Sequence, residues 1–232
     1  MKSVRTYKEL AHRLDQIVGV PFAELSKFYS KTWKGSPSQN KGWGGNMIDF
    51  LVGGDEGNAS RPDISSLGIE VKSIPIDAST RVLQPTKVTA LNYRDILIED
   101  WWRSNAFHKL RAVLFVPIVK GDAKKPDDWY IRRPFLWLPS TETLSRLESD
   151  YDTVRSLVRS GRFEDISSAK PPKGQGVALH PKPSAADSSK RTKVLVAGTE
   201  YKVMPRAWML RESFTEPIVR ENLRVDVALS TT

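Results

Sequence analysis

Two acids and a lysine stand at Asp63, Glu70 and Lys72 in RPDISSLGIEVKSIPID, the stretch from Arg61 to Asp77. Leu67, Ile69 and Val71 alternate with polar residues. That is the period of a half-buried strand from Leu67 to Ile74, and it turns Glu70 and Lys72 to one face. Pro62 biases the chain toward extended or turn geometry, so a short return would set the Asp63 carboxylate beside Glu70. Two carboxylates about 4 Å apart repel by roughly 4 kcal/mol at an effective dielectric of ~20, a cost that a divalent cation between them removes. Such oxygen donors select Mg²⁺, Mn²⁺ or Ca²⁺. An amine beside them suits holding a metal-bound water, or stabilising its hydroxide or charge growing on a phosphate. The same E-V-K spacing also occurs as a solvated strand face with a weak ion pair, and context decides between the two.

The elements that must position these groups come from a chain of 232 residues, enough for one sizeable core. With no cysteine, disulfides, thiolate catalysis and zinc fingers are excluded. His12, His108 and His180 lie too far apart for a zinc motif. A formal charge of +9 points to a polyanionic partner. Nucleic acid fits better than an acidic membrane, because no basic amphipathic helix is evident. No apolar run approaches the ~20 residues of a membrane span, and MKSVRTYKEL lacks a signal-peptide apolar region. A cytoplasmic protein without an organic cofactor is expected.

Thr6 and Glu9 form a capping-box signature for a first helix carrying Leu10, Leu14 and Ile17, and a second helix is expected from Pro21 to Tyr29. The loop from Lys31 to Gly45 interleaves Lys31, Lys34 and Lys41 with Trp33 and Trp43, a mixture that suits a phosphate backbone. It equally suits a surface loop whose tryptophans tuck into the core. NMIDFLV, from Asn46 to Val52, reads as a short helix stopped by Gly53 and Gly54, with Asp49 its only charge. Residues 77–89 read as turn and loop, where Arg81, Gln84 and Thr86 could read a nucleic-acid groove. Ala112 to Val119 reads as a buried strand, and Tyr130 to Leu138 as strand cut by Pro134. Ser140 caps a long helix ending at Gly161. Residues 167–193 turn rich in Pro, Ser, Gly and Lys, either a linker or a brief ordered island around His180 and Lys182 that presents a basic loop. A hairpin turning near Gly198 and a last helix from Thr215 to about Leu223 complete the chain.

Read together, NKGWGGNMIDFLVG, RPDISSLGIEVKSIPID, FHKLRAVLFVPI, HPKPSA and MPRAWMLRESFT resemble the MutH family in order and spacing. That family includes the strand-specific nicking endonuclease of DNA mismatch repair and related restriction enzymes that cut at GATC. The resemblance runs from about Lys41 to Leu223. It implies an α/β, restriction-endonuclease-like PD-(D/E)xK fold: a mixed sheet flanked by helices, with two lobes forming a DNA cleft. The whole chain would be one such domain, with a catalytic lobe over about 20–110 and a DNA-reading lobe over about 111–223. It further implies that Asp63, Glu70 and the Val71 backbone carbonyl bind Mg²⁺, with Mn²⁺ able to substitute, while Lys72 positions the attacking water. Asp49 would replace a helix-borne glutamate, and Lys41 and Lys109 would lie near the scissile phosphate.

Gln84, His180 and Met209 stand where the resemblance leads one to expect a base-contacting glutamate, an arginine and a tyrosine. Glutamate accepts from a cytosine amino group whereas glutamine pairs with adenine, so these departures suggest an altered reading of the site. On that basis a restriction-type, Mg²⁺-dependent double-strand endonuclease is expected. A repair-type nicking enzyme is the alternative, and a DNA-binding module with an inactive core the second. One site per chain means that cutting both strands takes a homodimer on DNA or two successive nicks.

Overall fold

A computed structural model describes residues 3–29, 43–54, 61–121, 126–168, 177–184 and 190–229. In chain order the first elements are α1 (Tyr7–Asp15), α2 (Phe22–Phe28), α3 (Trp43–Val52), β1 (Glu70–Ile76) and β2 (Thr86–Ala90). Then come α4 (Asp95–Ile98), α5 (Asn105–Leu110), β3 (Val113–Val119), β4 (Tyr130–Ile131), β5 (Phe135–Trp137) and α6 (Thr141–Arg159). β6 (Leu179–Pro183), β7 (Thr192–Val196), β8 (Thr199–Val203), β9 (Arg206–Leu210) and α7 (Glu212–Leu229) finish the chain. The protein is mixed α/β, and it divides into two compact units.

The first unit comprises residues 1–84, 112–138 and 215–232. β1 pairs in parallel with β3, and β4 and β5 both pair antiparallel with β3, so the sheet is mixed. All seven residues of β3 are buried, which is why VLFVPIV shows no alternation. β4 and β5 are separate because of proline. Pro117 accepts from the Arg132 N–H at 2.9 Å but has no N–H to return, and Pro134 follows. One face of the sheet, with Val71, Leu114, Val116, Ile118 and Ile131, packs on Leu10, Phe22, Leu25, Met47, Ile48 and Leu51 of α1 to α3. Thr6 and Glu9 complete the capping box of α1.

α3 ends in a Schellman cap: Gly53, at φ +75°, donates to Phe50 O and Gly54 donates to Asp49 O. The last helix is longer than its expected span from Thr215 to Leu223. It begins at Glu212 and carries Pro217 within it.

The second unit comprises residues 85–111 and 139–214. Its three-stranded antiparallel sheet has the order β2, β9, β6, and β7 and β8 form a separate hairpin. β2 corrects the loop expected through Thr89. Its sequence TKVTA offers little apolar signal, and pairing with β9 makes it a strand. α6 begins at the Ser140 cap and packs Tyr151 on Trp208 of β9, ring centroids 5.3 Å apart. Asp150, one residue earlier, is buried and accepts from the Ala178 and Leu179 N–H groups at 2.7 and 2.8 Å. It thereby fastens the start of β6. Burial pushes its carboxyl above the usual range, and the N–H groups of Leu179 and Ala178 oppose the rise.

Candidate functional site

The site is built at the N-terminal end of β1 by a tight return. Ile64 and Ile69 form an antiparallel bridge across the turn Ser65 to Gly68, with Gly68 at φ +67°. Gly54 lies against the backbone carbonyls of Asp49 and Asp63, where a Cβ would come within 3.2 and 3.3 Å of them. The helix cap and the turn together bring Asp63 back along the strand edge, and its Oδ2 accepts from the Val71 N–H at 2.9 Å. Among the described residues Oδ1 accepts no hydrogen bond, so the carboxylate keeps lone pairs to offer to an ion.

Glu70 and Lys72 share the sheet face opposite Val71, since side chains alternate along a strand. Lys72 Nζ donates to Glu70 Oε1 at 2.6 Å. Glu70 is only 2% exposed. The pair is therefore not a solvated strand face: β1 is covered on both faces, unlike the half-buried strand expected from the alternation. The strand is also shorter at its start than expected, because Leu67 lies in the turn. The Val71 N–H and C=O point to the same side of an extended chain, away from β3, so the carbonyl lies on the edge that Asp63 occupies. Asp63, Glu70 and the Val71 carbonyl thus offer hard oxygen donors around one strand end, with an amine beside them. Among the described residues no three His, Cys, Asp or Glu side chains gather.

Asp49 lies on α3, the helix whose apolar residues cover the Val71 face. Lys109 is buried in α5 of the second unit. Trp43 is the first residue of α3, and Lys41 lies outside the described residues. Arg81 closes a turn on Asp77, its Nε 3.0 Å from Asp77 Oδ2. The Ser79 hydroxyl and the Arg81 N–H hold the Asp77 carboxyl well below the usual range. Gln84 is exposed.

In the second unit the register puts Lys87 opposite Met209 and Met209 opposite His180, a row across all three strands on one face. Lys182 follows on that face two residues along β6. Thr86 points the other way: it pairs with Leu210 and is 5% exposed. Lys87 takes the place on this face, and only the pairing of β2 with β9 gives it that parity, because the local sequence TKVTA carries little strand signal. His180 is 8% exposed, and its pKa is lowered to about 4 by burial, helped by the cations of Arg211, Lys182 and Arg206. It is neutral at pH 7. Asp150, by contrast, has a local signal, an acid within the apolar stripe of α6.

Residues 52–150 match the family model described as DNA mismatch repair enzyme MutH. The DNA mismatch repair protein MutH of Vibrio vulnificus is 33% identical over 218 residues, covering 93% of each chain. The protein of that name from Vibrio cholerae is 31% identical over 217 residues, 93% of this chain and 96% of its own. That from Shewanella woodyi is 29% identical over 219 residues, 94% of this chain and 92% of its own. With a third of its residues shared along nearly the full length of a relative, this chain belongs to the MutH family.

Proposed function

We propose that the protein is a divalent-metal-dependent DNA endonuclease of MutH type that nicks one strand of a duplex, hydrolysing a phosphodiester to a 5′-phosphate and a 3′-hydroxyl. The observation that carries this reading is the strand end where Asp63 bonds the Val71 N–H and Lys72 bonds a buried Glu70. The donors are all hard oxygens, which fits Mg²⁺ or Mn²⁺ and not a soft metal. Asp63, Glu70 and the Val71 carbonyl would hold the ion, leaving further positions for water and phosphate oxygen. When bound, it supplies a lowered pKa for water and charge neutralisation at the phosphate.

Lys72 is held by Glu70 where its ammonium can donate to the attacking water and favour the hydroxide form. Asp49 supports the acid pair from α3, and Lys41 and Lys109 neutralise the phosphate. Trp43 contacts the DNA backbone. Arg81 and Gln84 contact the duplex from the first unit. Lys182, His180 and Met209 form the reading face of the second unit, and Lys87 joins them. The buried Thr86 supports that face from behind. The protein works in the cytoplasm on double-stranded DNA.

The relatives named above are mismatch-repair proteins, which favours the nicking reading over the restriction-type one. Supercoiled plasmid incubated with protein and Mg²⁺ tests it. The expected product is open circle, with nicking of hemimethylated GATC stimulated by a mismatch-repair partner. Discrete linear fragments made without a partner would establish the restriction-type reading instead. A Lys72→Ala protein that behaves like the wild type in DNA binding and in an equal absence of cleavage would leave a binding module.

A further inference from the structure

The hairpin of β7 and β8 carries none of the residues assigned above to the β1 site or to the row of Lys87, Met209 and His180. Its two-residue turn has Ala197 at φ +48° and Gly198 at φ +85°, the positive pair of a type I′ hairpin. Counting back from the Val196–Thr199 pair that closes the turn, Lys193 and Lys202 face each other in a non-hydrogen-bonded pair. That is the position where backbones approach most closely, about 4.5 Å between Cα atoms. Like charges directly opposite destabilise a hairpin. Lys193 is answered by Glu200 at 3.0 Å, while among the described residues Lys202 has no ion pair. Lys190 and Arg191 lead into the same hairpin, so the stretch 190–203 holds four cations against one acid.

The opposite face is firmly seated. Val194, Val196 and Val203 are buried, and Tyr201 packs on Phe163 with ring centroids 5.0 Å apart. The hairpin therefore presents two exposed lysines side by side on a fixed support, with one acid to offset them. A phosphate backbone can supply the missing counter-charge to both amines. Lysine is a compact point charge with no planar fork, which suits phosphate oxygens better than base edges.

We propose that the face carrying Lys193 and Lys202 is an accessory, sequence-independent docking surface for the phosphate backbone of duplex DNA, outside the cleavage and reading groups. The proposal rests on the reading that the protein acts on DNA. Its test is the salt dependence of duplex binding, measured by fluorescence anisotropy in EDTA with wild type, the double variant Lys193→Gln/Lys202→Gln, and Glu200→Gln. Each phosphate contact contributes about 0.9 to the slope of log affinity against log salt, so the double variant is expected to lower the slope by roughly 1.8. Glu200→Gln frees Lys193 and is expected to tighten binding. The nicking rate at saturating DNA stays at the wild-type value in both. A wild type that binds DNA while the double variant keeps its slope overturns the proposal alone, as does loss of binding only to anionic phosphatidylserine vesicles. A wild type that neither binds nor nicks duplex overturns the underlying reading with it.

Discussion

Glu70 and Lys72 depend on each other, because a carboxylate almost wholly out of water needs the ammonium 2.6 Å away. On the proposed reading, replacing Lys72 by Ala removes a donor at the reacting centre, a change that costs about 10²–10³ in rate at comparable sites. Nicking is expected to fall by that much or more, while anisotropy shows duplex affinity changed only a few-fold. Asp63 can be divided more finely. Asp63→Asn keeps an oxygen for the Val71 N–H and loses the charge. The expected result is a melting temperature within a few degrees of wild type, with Mn²⁺ affinity by calorimetry weakened about tenfold or more, in line with 1.4 kcal/mol per decade. Unchanged Mn²⁺ affinity would remove Asp63 from the ligand set.

At the level of elements, the α3 cap sets the backbone beside Asp63 in the first unit, and the α6 anchor sets the start of β6, and with it His180, in the second. Gly53 occupies a left-handed conformation, and a Cβ there would run into the Arg13 guanidinium. Gly53→Ala is expected to cost about 1–2 kcal/mol in chemical denaturation. Asp150→Leu leaves two buried N–H groups unpaired at about 1–3 kcal/mol each. Asp150→Asn, which keeps one acceptor oxygen, is expected to lose clearly less. α1, β3, α6 and the hairpin were legible, because caps, β-branched runs and an apolar stripe are local signals. β2 was not, since only β9 makes TKVTA a strand, and with it went the place of Lys87. The acids and the lysine could be named from spacing. That Asp63 would bond the Val71 N–H depended on a turn whose register no local pattern specifies, and the pairing of His180 with Met209 depended on strands distant in sequence.

For the whole molecule, charge and protonation set the conditions under which it works. The net charge of +9 makes affinity for any duplex fall as salt rises. His180 adds a pH dependence of stability. Its folded pKa, about 4, lies below the ordinary 6.5, so between these values the unfolded chain binds the extra proton. Stability is therefore fully present above pH 6.5 and is lost as pH falls toward 4. His180→Gln is expected to flatten that part of the profile in denaturation midpoints taken from pH 4 to 7.

The central claim is that the oxygens of Asp63 and Glu70, with the Lys72 amine, cut a DNA strand in the presence of a hard divalent ion. Nicking of supercoiled plasmid in Mg²⁺, with the new ends tested for religation by DNA ligase, measures it directly for wild type, Asp63→Asn and Glu70→Gln. Open circles with ligatable 5′-phosphate ends from the wild type alone are predicted. Equal nicking by either variant, or none by the wild type across metal and salt conditions, would contradict it.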